Sequence, residues 1–372
     1  MSKPVSILKS LRILRQSLRQ RILAVNAAEF EPLALDIFRY QAVWNPVYRA
    51  YLGHLGVQPE QINALDRIPF MPIGFFKQHT VVTRFSDEPL PEPLIFASSG
   101  TTGRTTARAQ ATEATSDQVP TSHHLVPDPD LYNEISQRIF EAQYGPLDRF
   151  HILALLPSYL ERNNSSLVYM VQRFIEKSDS QKSGFFLQNT DELTAVLQNL
   201  AEQPDGRPIL LIGVTFALLD WAESATDFTF LQKLPDLIVM ETGGMKGRRR
   251  ELLREEVHHI LTQRLGISAI HSEYGMTELL SQAYSSGGGI FQASPTLRVL
   301  LRDVNDPFYS LPRQADGRQT GGINVIDLAN LDSCSFIETQ DLGQYENETA
   351  DAFRVIGRFD NSDIRGCNLM AL

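Results

Sequence analysis

The sequence predicts an α/β fold, a mainly parallel sheet with helices on its faces and a smaller β subdomain. Three observations carry that expectation. Apolar runs at residues 150–156, 208–213 and 237–240 read as strands buried on both faces. Helical stretches follow at 167–175, 216–223 and 249–265, and strands alternating with helices imply a parallel sheet. From Gly287 the texture changes to short strands and turns, with strands at 297–301, 321–326 and 334–339. Ligands of such sheets sit beyond the carboxyl ends of the parallel strands, where residues 243–244 and 272–278 fall.

The N-terminal 28 residues contain no Asp or Glu, and interleave Lys9, Arg12, Arg15, Arg19 and Arg21 with Leu8, Leu11, Ile13, Leu14, Leu18 and Leu23. This predicts an amphipathic helix lying on the domain, with a transit peptide or a membrane-surface helix as alternatives. Residues 31–45 read as a helix with Pro32 in its first turn, ended or kinked by Pro46 and resumed over 47–55. Two prolines three apart, Pro69 and Pro72, force an extended entry into the domain. Residues 104–130, rich in Thr, Ala, Ser and Pro without apolar periodicity, predict a mobile loop, whose His123 and His124 are weak site candidates beside an ordinary surface reading.

A chain of 372 residues with 42% hydrophobic content can bury a large core. The formal charge of −10 argues against a nucleic-acid-binding surface. Two cysteines, Cys334 and Cys367, make no disulfide framework and fit a reducing cytoplasm. No stretch approaches the ~20 apolar residues that span a bilayer.

The most informative segment is Ser98, Ser99, Gly100, Thr101, Thr102 and Gly103, directly after the strand-like Leu94, Ile95 and Phe96. Glycines let several backbone N–H groups point into one concavity, and Ser and Thr add neutral donors. The pattern is a phosphate cradle without the lysine of the Walker sequence; the bland alternative is a flexible surface loop. Far downstream lies Ser272, Glu273, Tyr274, Gly275, Met276, Thr277 and Glu278.

The pair, in this order, resembles the adenylate-forming superfamily, whose members use ATP to join a carboxylate to AMP. Residues 157–159, 165–170, 240–248 and 275–284 resemble the acyl-protein synthetases of bacterial bioluminescence, the LuxE type, and the likeness runs from about residue 29 to the end. It implies the N-terminal-domain fold of that superfamily over 1–356, with a hinge-like segment and tail at 357–372 and no C-terminal domain after it. The β subdomain, about 287–356, would cover the site.

The resemblance assigns roles residue by residue. Ser98, Ser99, Gly100, Thr101, Thr102 and Gly103 would hold the β- and γ-phosphates of ATP, Thr277 the α-phosphate, and Glu278 a Mg²⁺. Tyr274 would stack on adenine behind Gly275, and Gly243 and Gly244 would let backbone approach the base edge. Asp341 would accept the ribose hydroxyls, although Gln340 stands where a glycine is usual, and Arg358 in the hinge-like segment would lie near the ribose. A lysine normally supplied by the C-terminal domain has Lys246 as its weak substitute. The basic group Lys246, Arg248, Arg249 and Arg250 would face either the nucleotide or Glu255 and Glu256. Cys367, beside Arg365, would accept the activated acyl group as a thiolate, while Cys334 reads as core.

These readings lead to an ATP- and Mg²⁺-dependent enzyme that loads a carboxylic acid, a fatty acid by the resemblance, onto its own cysteine and then a partner protein. The alternatives are a phenylacetate-CoA-ligase-like activator acylating CoA or a carrier protein, and a nucleotide-binding scaffold without turnover.

Overall fold

Two asparagines divide the N-terminal helices. The computed structural model describes residues 5–84, 93–98, 121–157, 164–244, 252–312, 319–346 and 352–359. Helix α1 (Val5–Ala24) ends before Asn26, whose side chain accepts from the backbone N–H of Ala28 and Glu29 to start α2 (Ala27–Trp44). The second helix thus begins four residues before the expected start, and Pro32 falls inside it rather than in its first turn. Asn45 ends α2 and caps α3 (Pro46–His54), with Pro46 at the first helical position where its missing N–H costs nothing. Helix α1 lies on the domain as its amphipathic pattern predicts: Leu18 and Ile22 are buried, Arg15 bonds Asp332 and Asp128, and Arg19 bonds Asp128.

A short strand β1 (Met71–Pro72) and helix α4 (Phe75–Gln78) lead to a separate antiparallel pair, β2 (Leu94–Ala97) with β3 (His123–Val126). The loop expected over 104–130 is therefore overturned in its last part. Residues 123–126 form a strand, because Phe96 and Val126 are buried on the pair, and Asp128 caps α5 (Pro129–Tyr144). Residues 104–120 lie outside the described residues.

The large sheet follows: β4 (His151–Leu155), α6 (Ser166–Ser178), β5 (Gly184–Phe185), α7 (Thr190–Glu202), β6 (Ile209–Val214), α8 (Thr215–Ala222), β7 (Leu237–Thr242), α9 (Arg254–Leu265) and β8 (His271–Tyr274). Strands β5, β4, β6, β7 and β8 are parallel neighbours in that order. Every residue of β4 and β6 is buried, which is why both show as apolar runs in the sequence. Helices α5 and α6 cover one face; Arg254 and His258 of α9 reach Glu241 and Ser272 from the other.

The chain then adds β9 (Ala283–Ser285), β10 (Ile290–Ala293), β11 (Leu297–Arg302), β12 (Thr320–Asp327), β13 (Phe336–Tyr345) and β14 (Ala352–Arg358). The strands expected as a smaller β subdomain continue the same sheet. β9 pairs antiparallel with β8, a turn with Gly288 and Gly289 at positive φ reverses the chain, and β10 passes pairing to β14, β13, β12 and β11. Among the described residues this makes one mixed sheet of 12 strands, parallel on one side of β8 and antiparallel on the other, with β1 joined to β13.

Candidate active site

Strand alternation at β8 creates two compartments. Ser272 points to the α9 side, where His258 meets its hydroxyl at 3.1 Å. Glu273 points to the α5 and α6 side, and Tyr274 to the α9 side again. The chain then leaves the sheet through Gly275 in a turn that carries Thr277 and Glu278. A Cβ at Gly275 would meet the Glu273 carboxylate, so any larger residue here would displace that side chain.

The turn is clamped from three directions. His124 on β3 approaches the Thr277 carbonyl at 2.9 Å; a carbonyl only accepts, so Nδ1 carries the proton. Asn330 donates to the Glu278 carbonyl at 2.8 Å. The buried Asp327 carboxylate accepts from the backbone N–H of Leu280 and Ser281 and from the Ser281 hydroxyl. No helix follows Glu278, so an acid placed only to satisfy a helix dipole is not its explanation. Burial pushes the His124 pKa down to about 4, and among the described residues its Nε2 has no partner.

The Glu278 side chain is 6% exposed. Burial pushes its carboxyl above the ordinary value, opposed by a hydrogen bond from Ser122 and the charges of Lys77 and Arg358. Ser122 in turn pairs with Ser98, N–H to hydroxyl oxygen at 2.9 Å and, in return, Ser98 N–H to carbonyl at 3.0 Å. The start of the hydroxyl-rich loop thereby lies beside the Glu278 turn. Ser99, Gly100, Thr101, Thr102 and Gly103 lie outside the described residues, as do Lys246 and Cys367.

On the α9 side, the Tyr274 hydroxyl donates to Asp341 on β13 at 3.0 Å, and Arg358 on β14 approaches the other Asp341 oxygen at 3.4 Å. Phe291 and Phe353 flank the Tyr274 ring at 5.8 and 5.6 Å. Only 6% of Tyr274 is exposed, so a planar base could reach no more than an edge of the ring. Burial raises the Asp341 pKa, against the pull of Arg358. Three residues far apart in sequence thus form one cluster.

On the α5 and α6 side a cavity of about 140 Å³ opens between the ends of β7 and β8 and the start of α6. Ser165 and Ser166 at that helix start, Tyr132, Met170, Thr242, Gly243, Glu273 and Gln282 help to line it. Gly243 adopts φ +73°, a left-handed conformation that favours glycine. Among the described residues, no atom beyond the chain neighbours lies within 4 Å of where a Cβ at Gly244 would stand. Thr242 donates to Glu273, whose pKa burial raises to about 7.

Sequence reasoning did not single out Ser122, Glu273, Gln282 or Tyr132. The period-2 alternation through residues 272–274 is the signal that could have separated Glu273 from Tyr274. His124 was marked only weakly, and its contact with a residue 153 positions away has no local signature.

No protein-family model and no curated protein sequence matches the chain. Among solved structures, 23 chains match it. ATP-bound MatB from Rhodopseudomonas palustris covers 71% of this chain with 47% of its own, at 17% identity and a TM-score of 0.47. The Brucella canis acyl-CoA synthetase covers 67% with 44% of its own, at 17% identity and a TM-score of 0.38. The chain therefore spans less than half the length of either.

Proposed function

We propose that the chain is an ATP-dependent ligase that activates a carboxylic acid as acyl-AMP and passes the acyl group to a thiol. One observation carries this reading. The clamped Thr277–Glu278 turn stands at the carboxyl ends of the parallel strands, with the Tyr274–Asp341–Arg358 cluster on one side and the cavity on the other. In the reading, the nucleotide occupies the side of Asp341, a carboxylate suited to a cis-diol, with Arg358 beside it. The acid occupies the cavity past Gly243. Ser98 anchors the phosphate loop, and Ser99, Gly100, Thr101, Thr102 and Gly103 enter from sequence alone.

A substrate carboxylate attacks the α-phosphorus, and the bond to pyrophosphate breaks. The chain's contribution is positioning and fixed polarity: Thr277 and the loop hydroxyls hold phosphate oxygens, and the rigid turn holds both groups in place. Among the described residues no group of three or more Asp, Glu, His or Cys could hold a metal alone. A single buried carboxylate does fit Mg²⁺ when phosphate oxygens complete the shell, and Glu278 would hold it. When bound, that ion supplies positive charge to the phosphates.

For the second step a thiolate attacks the acyl carbonyl carbon and AMP leaves. Cys334 is fully buried, with its thiol pushed up to about 12, and is unfit as a nucleophile. Of the two cysteines in the chain, that leaves Cys367 as the proposed acceptor, ahead of a partner protein. Its cysteine usage suits a reducing cytoplasm, and among the described residues no helix is long and apolar enough to cross a membrane.

Incubation with ATP, Mg²⁺, a panel of labelled acids and hydroxylamine should yield acyl hydroxamate. Without hydroxylamine, the protein itself should carry label in a hydroxylamine-sensitive bond, and Cys367→Ser should lose that label while still forming hydroxamate. Equal labelling of the variant removes Cys367 from the account. Acylation of added CoA by an unlabelled wild type transfers the second step to CoA.

A further inference from the structure

The N-terminal helix turns two of its arginines inward, and one of them joins the two arms that hold the Thr277–Glu278 turn. Arg15 on α1 is partly buried. Its Nε donates to Asp332 Oδ1 at 2.7 Å and its Nη2 to Asp332 Oδ2, so the guanidinium grips that carboxylate with two bonds. The same Nη2 donates to Asp128 Oδ2 at 2.9 Å. Asp332 follows closely after Asn330, the donor to the Glu278 carbonyl. Asp128 lies one short step beyond His124, which bonds the Thr277 carbonyl. One cation therefore ties the arm that carries His124 to the arm that carries Asn330.

The two arms face one another: His124 and Asp128 of one, Asn330 and Asp332 of the other, and Leu280 from beyond the turn line a single small cavity. Asp128 and Asp332 both place Oδ2 on the same arginine nitrogen, and their side chains are only 18% and 9% exposed. Without a cation between them, two poorly hydrated carboxylates would push the arms apart. Each arm also has holds of its own. Gln41 on α2 donates to the Asn330 and Leu331 carbonyls at 2.8 and 3.1 Å, Asn45 donates to the Ser333 carbonyl, and Asp128 caps α5 through the Leu131 N–H. Those bonds keep each arm folded, but none of them runs from one arm to the other. Arg19, one turn further along α1, bonds Asp128 at 2.9 Å and stands 4.0 Å from Glu134, both on the same side of the bridge.

We propose that Arg15 is a positioning residue of the acyl-activating site: by bridging Asp128 and Asp332 it sets the spacing of the two arms, and with it the place of Thr277 and Glu278. The proposal rests on the ligase reading above. It gives the basic N-terminal helix a part in the reaction that works through the two arms rather than through a substrate contact. A shift of about 1 Å in a reacting group can cost on the order of 10²-fold in rate, so the bridge bears on kcat from behind the turn.

Two substitutions in the full-length protein test this. Arg15→Met and Arg19→Met each remove a bond from α1 to Asp128, but only the first cuts the bridge. In acid-dependent ATP–pyrophosphate exchange, Arg15→Met should lower kcat by about 10–100-fold with the KM for ATP almost unchanged. Arg19→Met should keep a kcat near that of wild type. Arg15→Lys keeps the charge but loses the two-pronged grip, so it should show a milder fall in kcat, and it carries the test if Arg15→Met does not fold. Hydrogen exchange reads the turn without turnover: the Leu280 and Ser281 amides, bonded to Asp327, should lose protection in Arg15→Met and keep it in Arg19→Met. Equal losses of kcat in the two Met variants, or wild-type kcat and protection in Arg15→Met, overturn the inference and leave the ligase reading standing. Exchange with no acid in a broad panel overturns the ligase reading, and with it a catalytic part for Arg15, while the protection data still decide whether Arg15 spaces the arms.

Discussion

The two sides of β8 differ in how their polar groups are satisfied. On the α9 side, the Tyr274 hydroxyl, the Asp341 carboxylate and the Arg358 guanidinium answer one another. On the other side, among the described residues, the buried Gln282 Oε1 has no partner and Glu273 accepts from the Thr242 hydroxyl. A cluster whose polar groups answer one another is held by its own bonds, whereas a buried acceptor without a donor costs free energy. The turn between them, held by His124, Asn330 and Asp327, belongs to both.

The largest effect expected from breaking this arrangement is at the turn itself. Glu278→Gln should lower carboxylate-dependent pyrophosphate exchange by about 10²–10³-fold with the fold intact, as loss of one key electrostatic group commonly does. Near-normal exchange at limiting Mg²⁺ would remove the metal role from Glu278. Next comes the satisfied side. Asp341→Asn should raise the KM for ATP by roughly tenfold while leaving the KM for the acid almost unchanged, since one charge-assisted contact is worth about 1.5–3 kcal/mol. An equal rise for both substrates would mean that the two compartments are not separate.

The clamp gives a third test. Asn330→Leu removes the donor to the Glu278 carbonyl, and should cost about 1–3 kcal/mol of stability by denaturant unfolding, with a fall in kcat at unchanged KM. A loss of stability with unaltered kcat would make Asn330 structural only.

The smallest effect concerns pH. Glu273 is raised from its ordinary 4.5 to about 7, so between these values the folded chain holds a proton the unfolded chain has lost, and stability falls as pH rises. His124 is lowered from 6.5 to about 4, so there the unfolded chain holds the extra proton and stability rises with pH. The two slopes oppose each other in the wild type. Relative to wild type, Glu273→Gln should gain stability steadily from pH 4.5 to about 7, and His124→Gln should lose it from about 4 to 6.5. Each change is on the order of 1–3 kcal/mol, readable from urea midpoints across pH. Parallel curves for all three proteins would mean that neither group titrates as its burial implies.

The parallel half of the sheet was legible in the sequence because β4 and β6 are buried on both faces and so read as unbroken apolar runs. The strand that matters most was not legible in that way. β8 reads His, Ser, Glu, Tyr, polar residues kept in a buried strand by partners on α9, β7 and β13 that local sequence cannot reveal. The antiparallel strands were recognised as β structure but not as part of the same sheet, since the join depends on the short β9 and β10. Motif resemblance found Tyr274, Asp341 and Arg358, which the fold brings together. It included Glu273 and Gln282 in its segments but gave neither a role, because their burial depends on packing that local sequence does not show.

The account's central claim is that the clamped turn joins a nucleotide compartment to an acid compartment. Exchange of labelled pyrophosphate into ATP, measured on the full-length protein with Mg²⁺ and with or without each acid of a broad panel, tests it most directly. The account predicts exchange that depends strictly on acid and disappears in Glu278→Gln. Nucleotide binding without exchange for any acid, or exchange that proceeds equally well with no acid present, would contradict it.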